Sequence, residues 1–251
     1  TFGRGMLLEA GGQRVLLVAG SPYEMGYQQG KLLGKECREL IEKILIFTRA
    51  AEASKVKEFL KIGSLEEALA RSGRFIDRRY YEEMKGLADG AGIPLQDVLL
   101  ANIFPELFHC SGFALFGKAT EHGKLLHGRI LDYMTEAGLQ DYALVSVAKP
   151  NGYNAFVTVG YAGFTGTVTA MNAKQIALGQ MGGRGEGHWD GMPMSFLMRK
   201  VAEESDTLEQ AVELFKKTPR TCEYFYVVSD GKINDARGLA CWPDKYLILE
   251  P

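Results

Sequence analysis

The sequence predicts an α+β protein in which layers of sheet and helix stack on one another. Three observations carry this. Two short apolar runs with a Gly-rich join open the chain, and an almost wholly helical stretch follows to about Phe104. At Cys110 the pattern switches to six short strand-like runs, and two helix-like segments then precede three more strand-like runs. Runs of strands alternating with runs of helices hide their apolar faces by layering. A chain of 251 residues often forms one layered unit, and residues 1–251 are read as a single domain.

Met6–Glu9 and Arg14–Ala19, joined by Ala10-Gly11-Gly12-Gln13, read as a hairpin. Ser21-Pro22 then predicts a helix start, with Ser21 as N-cap, Pro22 at the first helical position and Glu24 at the third. Helical periodicity runs from about Gly30 to Ala51 and recurs over Val56–Leu60, Leu65–Arg79 and Tyr80–Gly90. A short helix is expected over Pro94–Ala101, with Leu95, Val98 and Leu99 on one face. The strand-like runs are Cys110–Thr120, Leu125–Asp132, Tyr142–Ala148, Ala155–Gly160, Gly166–Met171 and Gln175–Gln180, separated by turn signals such as Glu121-His122-Gly123 and Pro150-Asn151-Gly152. Pro193–Ser205 and Leu208–Lys217 read as helices parted by a cap at Asp206 or Thr207. Tyr224–Ser229, Arg237–Trp242 and Tyr246–Leu249 return to strand.

Composition narrows the function. A net charge of -2 offers no basic field for nucleic acid or an anionic membrane. Cys37, Cys110, Cys222 and Cys241 form no CxxC pair, and His109, His122, His127 and His188 lack HExxH spacing, so neither a metal nor a cofactor is expected. Gly182–Gly187 lacks the Gly-Lys-Ser/Thr ending of a phosphate loop and reads as a mobile loop near the pocket. No apolar run reaches membrane-spanning length. The expected partner is therefore a small molecule, with a homo-oligomer left open. Thr1–Gly20 shows no signal-peptide pattern, which slightly favours the cytoplasm and leaves a removed leader open.

The chemistry centres on His109-Cys110-Ser111-Gly112, where helix gives way to strand. A tight turn at Gly123 would fold Leu125–Asp132 back along Cys110–Thr120 and bring Arg129 and Asp132 towards Cys110. A free thiol titrates near ~8.5, so a nucleophilic cysteine needs a nearby cation to favour thiolate. A carboxylate can orient an amine or the arginine. The competing reading is that Cys110 is a small buried hydrophobe, as lone cysteines most often are. His127, on an apolar strand, reads as structural. Glu106 reads as an exposed loop carboxylate, the Trp189–Met198 cluster as helix core, and Cys222 and Cys241 as inert.

Four segments carry a resemblance to a known family. Ser21–Gly34 (SPYEMGYQQGKLLG), Cys110–Tyr133, Ala170–Gly183 (AMNAKQIALGQMGG) and Trp189–Phe215 resemble, in order, motifs of the acyl-coenzyme A:6-aminopenicillanic acid acyltransferase family, also called C45 autoproteolytic peptidases. That family belongs to the N-terminal-nucleophile hydrolases. The resemblance implies a four-layer αββα sandwich and a precursor that cuts itself between His109 and Cys110, leaving a 1–109 pro-segment and a 110–251 segment headed by the nucleophile. It implies that the freed α-amine of Cys110, with an ordinary pKa near ~7.7–8.0, is the general base. Arg129 and Asp132 match the family's Arg-x-x-Asp spacing, which implies that Asp132 holds the α-amine and Arg129 sits beside the thiol. The implied activity is hydrolysis of linear amides or acyl conjugates through an acyl-enzyme. The alternatives are an acyl-CoA-dependent N-acyltransferase and a catalytically impaired binding protein of the same fold.

Two departures stand out. Gln175 occupies a position where Gly is common in the "MNxxGxA" segment. The further strand that bears an oxyanion Asn in family members is not found up to Pro251, which predicts either a longer protein with an incomplete C-terminal part here or an impaired copy. Gln180, or a backbone N–H around Met181 and Gly182, is the substitute oxyanion or substrate donor.

Overall fold

The computed structural model describes residues 1–53, 64–103, 109–132, 135 and 138–251. The expected helix Val56–Leu60 and Glu106 lie outside these residues. The class is α+β, as the alternation of strands and helices predicts.

The chain opens with a hairpin, β1 (Met6–Ala10) and β2 (Gln13–Gly20), whose register Ala10↔Gln13 closes on Gly11 and Gly12. Both glycines have positive φ (58° and 76°), which explains the Gly pair at this turn. Helix α1 (Pro22–Leu32) starts at a complete capping box, with Ser21 and Glu24 bonding reciprocally. The continuous periodicity from Gly30 to Ala51 hides a break: α1 ends at Leu32 with Leu33 as its C-cap, and α2 (Gly34–Ala53) begins anew. Helix α3 (Leu65–Ser72), a 3₁₀ turn (Gly73–Phe75), α4 (Arg78–Ala91) and α5 (Leu95–Ile103) complete the first helical run.

Helix α1 crosses α4 with the two backbones nearly in contact. A Cβ on Gly26 would lie 1.9 Å from the Glu83 carbonyl oxygen, and one on Gly86 would lie 2.1 Å from that of Tyr23. Helix-interior glycine costs about 1 kcal/mol against alanine, so these positions are set by packing rather than propensity.

The strands after the helices are β3 (His109–Gly117), β4 (Gly123–Asp132), β5 (Ala143–Pro150), β6 (Phe156–Tyr161), β7 (Thr169–Asn172) and β8 (Ile176–Gly187). Helices α6 (Met194–Glu204) and α7 (Leu208–Lys217) follow, then β9 (Cys222–Asp230), β10 (Asp235–Cys241) and β11 (Tyr246–Leu249). Nine strands form one sheet in the order β1-β2-β5-β6-β7-β8-β9-β10-β11, in which only the β2–β5 pair is parallel among the described residues. Strands β3 and β4 pair with each other as a separate two-stranded sheet.

Residues alternate across β9 and define the layers. Tyr226 faces the helices, its ring 4.4 Å from that of Phe215 on α7. Val227 faces the β3–β4 hairpin, where it meets Gly112 and Gly179. The described residues thus supply a helical layer, the large sheet and the hairpin laid across β8 and β9.

One local expectation is corrected. Gly182–Gly187 is not a loop: β8 continues to Gly187, pairing with Cys222 beyond a register shift after Gly182. A Cβ on Gly183 or Gly187 would meet backbone oxygens of Glu223 or Thr221 at 2.3 Å, so the glycines permit close strand approach. Gln175 sits in the left-handed region (φ 61°) of a turn whose amides at Lys174 and Ile176 are held by the Asn172 side chain. The turn keeps the conformation that Gly would favour.

Candidate active site

Strand β3 follows the α-to-β switch, and its pairing with β4 sets the geometry. The register places His109 opposite Asp132, Cys110 opposite Leu131 and Gly112 opposite Arg129. Exposure alternates along both strands: Ser111, Phe113 and Leu115 are exposed, as are Leu126, Ile130 and Asp132, while Cys110, Gly112, Arg129 and Leu131 face inward. Cys110 and Arg129 therefore share the inner face as diagonal neighbours.

The Arg129 Nη2 lies 2.5 Å from the Cys110 Sγ. The same guanidinium donates through Nε to the Gln180 carbonyl oxygen (3.1 Å) and through Nη2 to Gln180 Oε1 (3.2 Å). Arg129 reaches β8 because Gly179 has no side chain there: a Cβ would lie 3.1 Å from Arg129 Cγ and 3.1 Å from His127 Nε2.

The Asp132 carboxylate lies on the outer face. It accepts a hydrogen bond from Ser111 Oγ at 3.1 Å and makes no ion pair with Arg129. By register Asp132 lies opposite His109, and its charge reaches the sulfur through space. Asp132 reaches the sulfur through its main-chain amide, which favours the thiolate.

Burial pushes the Cys110 thiol above its ordinary pKa. The Arg129 charge opposes this, and the Asp132 carboxylate adds to it. Burial lowers Arg129 and raises Tyr161, whose ring lies close enough to feel both Cys110 and Arg129. Cys37, Cys222 and Cys241 are fully buried, with thiols at Cys37 and Cys241 pushed up to about 12 and about 11. Cys110 is the half-exposed one of the four.

Beside the Arg129 guanidinium lies a narrow apolar pocket. Leu40, Ile41 and Ile44 of α2 form one wall, Leu131 and Phe164 another, and Arg129 and Gln180 supply its polar end. Spacing alone gave no reason to assign α2 to the site, because an amphipathic helix reads simply as core. Tyr161 likewise carries no motif.

The stretch between β6 and β7 that lines the pocket is tied down by the helices. Gln29 Oε1 accepts from the Gly163 amide (2.7 Å). Asn102 Nδ2 donates to the Gly163 carbonyl (3.0 Å), and Asn102 Oδ1 accepts from the Thr165 amide (2.8 Å) and hydroxyl (2.9 Å). Arg199, itself paired with Glu83 and Glu203, donates to the Thr165 carbonyl.

Among the proposed oxyanion donors, the Gln180 amide N–H is already given to the Val168 carbonyl. Its Nε2 is buried with no partner among the described residues. Met181 and Gly182 lie in the β8–β9 ladder, opposite Phe225 and Tyr224. His127 bonds Ser229 through Nδ1 at 2.6 Å, and burial pushes its pKa down to about 4, so it is a neutral structural imidazole at pH 7. Among the described residues no three His, Cys, Asp or Glu side chains gather as a metal set, and no helix is long and apolar enough to cross a membrane.

A cysteine on the first strand after a helical run, an Arg-x-x-Asp on the strand paired with it, and a sheet backed by helices are features of the N-terminal-nucleophile hydrolases. Residues 119–237 match the family described as acyl-coenzyme A:6-aminopenicillanic acid acyl-transferase. The match takes in Arg129, Asp132 and Gln180, and Cys110 lies just before it. The chain is 29% identical over 248 residues to protein dcd1B of Dictyostelium discoideum, covering 88% of this chain and 49% of that protein. It is 29% identical over 179 residues to acid ceramidase of Rattus norvegicus (59% and 43%). It is 26% identical over 178 residues to N-acylethanolamine-hydrolyzing acid amidase of Mus musculus (66% and 48%). The chain spans about half the length of the curated relatives it matches.

Proposed function

We propose that the protein is a self-processed cysteine hydrolase of linear amides or acyl conjugates, with Cys110 as nucleophile. The observation that carries this is the Arg129 guanidinium on the Cys110 sulfur at the polar end of an apolar pocket. In processing, Sγ attacks the His109 carbonyl carbon and the bond to the Cys110 nitrogen breaks. The thiol proton goes to the departing amine. Water then hydrolyses the thioester, leaving a carboxylate on His109 and a free thiol and α-amine on Cys110.

The raised thiol explains why a base is needed. Burial disfavours spontaneous thiolate, and an amine on the same residue, with an ordinary pKa near ~7.7–8.0, accepts the proton. Asp132, opposite His109, is assigned to hold that amine, and Arg129 to stabilise the sulfur's negative charge. Gln180, with backbone amides at Met181 and Gly182, is assigned to the substrate carbonyl. The apolar walls suit an acyl chain, in keeping with relatives named for hydrolysing N-acylethanolamines and for acting as a ceramidase. The acyl-thioester resolves on water, or on an amine if one occupies the pocket mouth.

Intact-mass measurement of the purified chain tests processing: fragments 1–109 and 110–251 are expected, held together through the β2–β5 pairing and the Glu83–Arg199 contact. Cys110→Ala should remain whole and form no acyl-enzyme with an N-acyl amide or an acyl-CoA. Asp132→Asn should fold yet process slowly. A wild-type chain that stays intact and inert towards both substrates defeats the proposal.

A further inference from the structure

Gln180 is a neutral residue where Arg129 could have met an acid. Its side chain is fully buried, and both its carbonyl oxygens, main-chain and side-chain, accept from the Arg129 guanidinium. Among the described residues no Asp or Glu is ion-paired with Arg129, and Asp132 acts on it only through space. The structure elsewhere pairs a buried arginine with acids: Arg199 meets Glu83 and Glu203. Arg129 thus keeps its full charge, and the remaining group it touches is the Cys110 sulfur.

We propose that Gln180 is a positioning residue that fixes the Arg129 guanidinium without neutralising it, so that its charge acts on the Cys110 sulfur. An acid at 180 would hold the guanidinium as well. It would also cancel its charge and place a negative group beside the sulfur, disfavouring thiolate twice over. Among the described residues, the other charged or titratable groups acting on the sulfur are Asp132 on β4 and Tyr161 at the end of β6, while α2 presents Leu40, Ile41 and Ile44 to the pocket. None of these supplies a second cation. The proposal deepens the nucleophile assignment for Cys110 and rests on it for its catalytic meaning.

The test is the pH dependence of Cys110 alkylation by iodoacetamide, read by mass spectrometry of the peptide that carries Cys110. The buried Cys37, Cys222 and Cys241 serve as unreactive internal controls. Two isosteric pairs differ only in charge at 180: wild type against Gln180→Glu, and Gln180→Asn against Gln180→Asp. In each pair the acid should raise the alkylation midpoint by at least about one pH unit, a ~10-fold slower reaction at neutral pH. Equal midpoints within both pairs overturn the proposal, because a carboxylate bonded to the guanidinium would then leave the charge felt by the sulfur unchanged. Should neither acid variant fold, Arg129→Gln carries the test: it must raise the midpoint by a similar amount, and an unchanged midpoint refutes the idea. Cut and uncut chains are resolved by intact mass, so a chain that never self-cleaves would defeat the processing mechanism while leaving this readout valid.

Discussion

Replacing Asn102 by Leu should loosen the pocket from behind. Asn102 is 1% exposed on α5, and its amide is the hub for Gly163 and Thr165 of the pocket-lining segment. Leucine keeps the volume and removes every polar atom. The Gly163 carbonyl and the Thr165 amide then lose their partners in a buried place, while the Thr165 hydroxyl can turn towards another acceptor. A stranded buried group costs about 1–3 kcal/mol, so two cost about 2–6 kcal/mol before any apolar gain from leucine. With a urea m-value of about 2–3 kcal/mol/M, the midpoint should fall by about 1–3 M. Hydrogen exchange locates the damage: the Thr165 amide should exchange faster, while the β9–β10 ladder keeps its order of protection. A midpoint within about 0.3 M of wild type at unchanged m would refute the claim that these bonds hold the pocket wall, since that shift is under ~1 kcal/mol.

Two further outcomes follow from buried charge and buried imidazole. Glu83→Leu strands the fully buried Arg199 with only Glu203, and should cost about 3–5 kcal/mol in chemical denaturation, whereas Glu82→Gln in the exposed pair with Arg78 should fall within error. His127, with its pKa depressed to about 4, is neutral in the fold, while the unfolded imidazole takes a proton as pH falls below ~6.5. The stability tied to neutral His127 is therefore complete above that pH and is lost between it and about 4, by up to about 3 kcal/mol. His127→Gln should flatten the stability profile across this window, and an equally steep acid loss in the variant would place its cause elsewhere.

Much of the fold was legible because local chemistry wrote it. The Ser21 capping box, the Gly11-Gly12 turn and the Thr207 cap each satisfy backbone groups within a few residues, and the structure contains all three. The break at Leu33 was hidden because apolar spacing carries straight through it, and what interrupts the helix is not written in that spacing. Gly182–Gly187 misled for a related reason: a glycine run signals a loop by propensity, yet here it lets β8 press against β9.

The sequence by itself determined the α+β order, the cysteine at the helix-to-strand switch, and the strand that returns Arg129 and Asp132 to its neighbourhood. The period-2 pleat makes side-chain face a matter of register, and only the folded hairpin set that register: Arg129 faces inward with the sulfur, and Asp132 faces outward opposite His109. Gln180, Asn102 and the α2 wall join the site from far along the chain. No spacing rule reaches that far, because their contacts exist only once sheet, helices and hairpin have closed on one another.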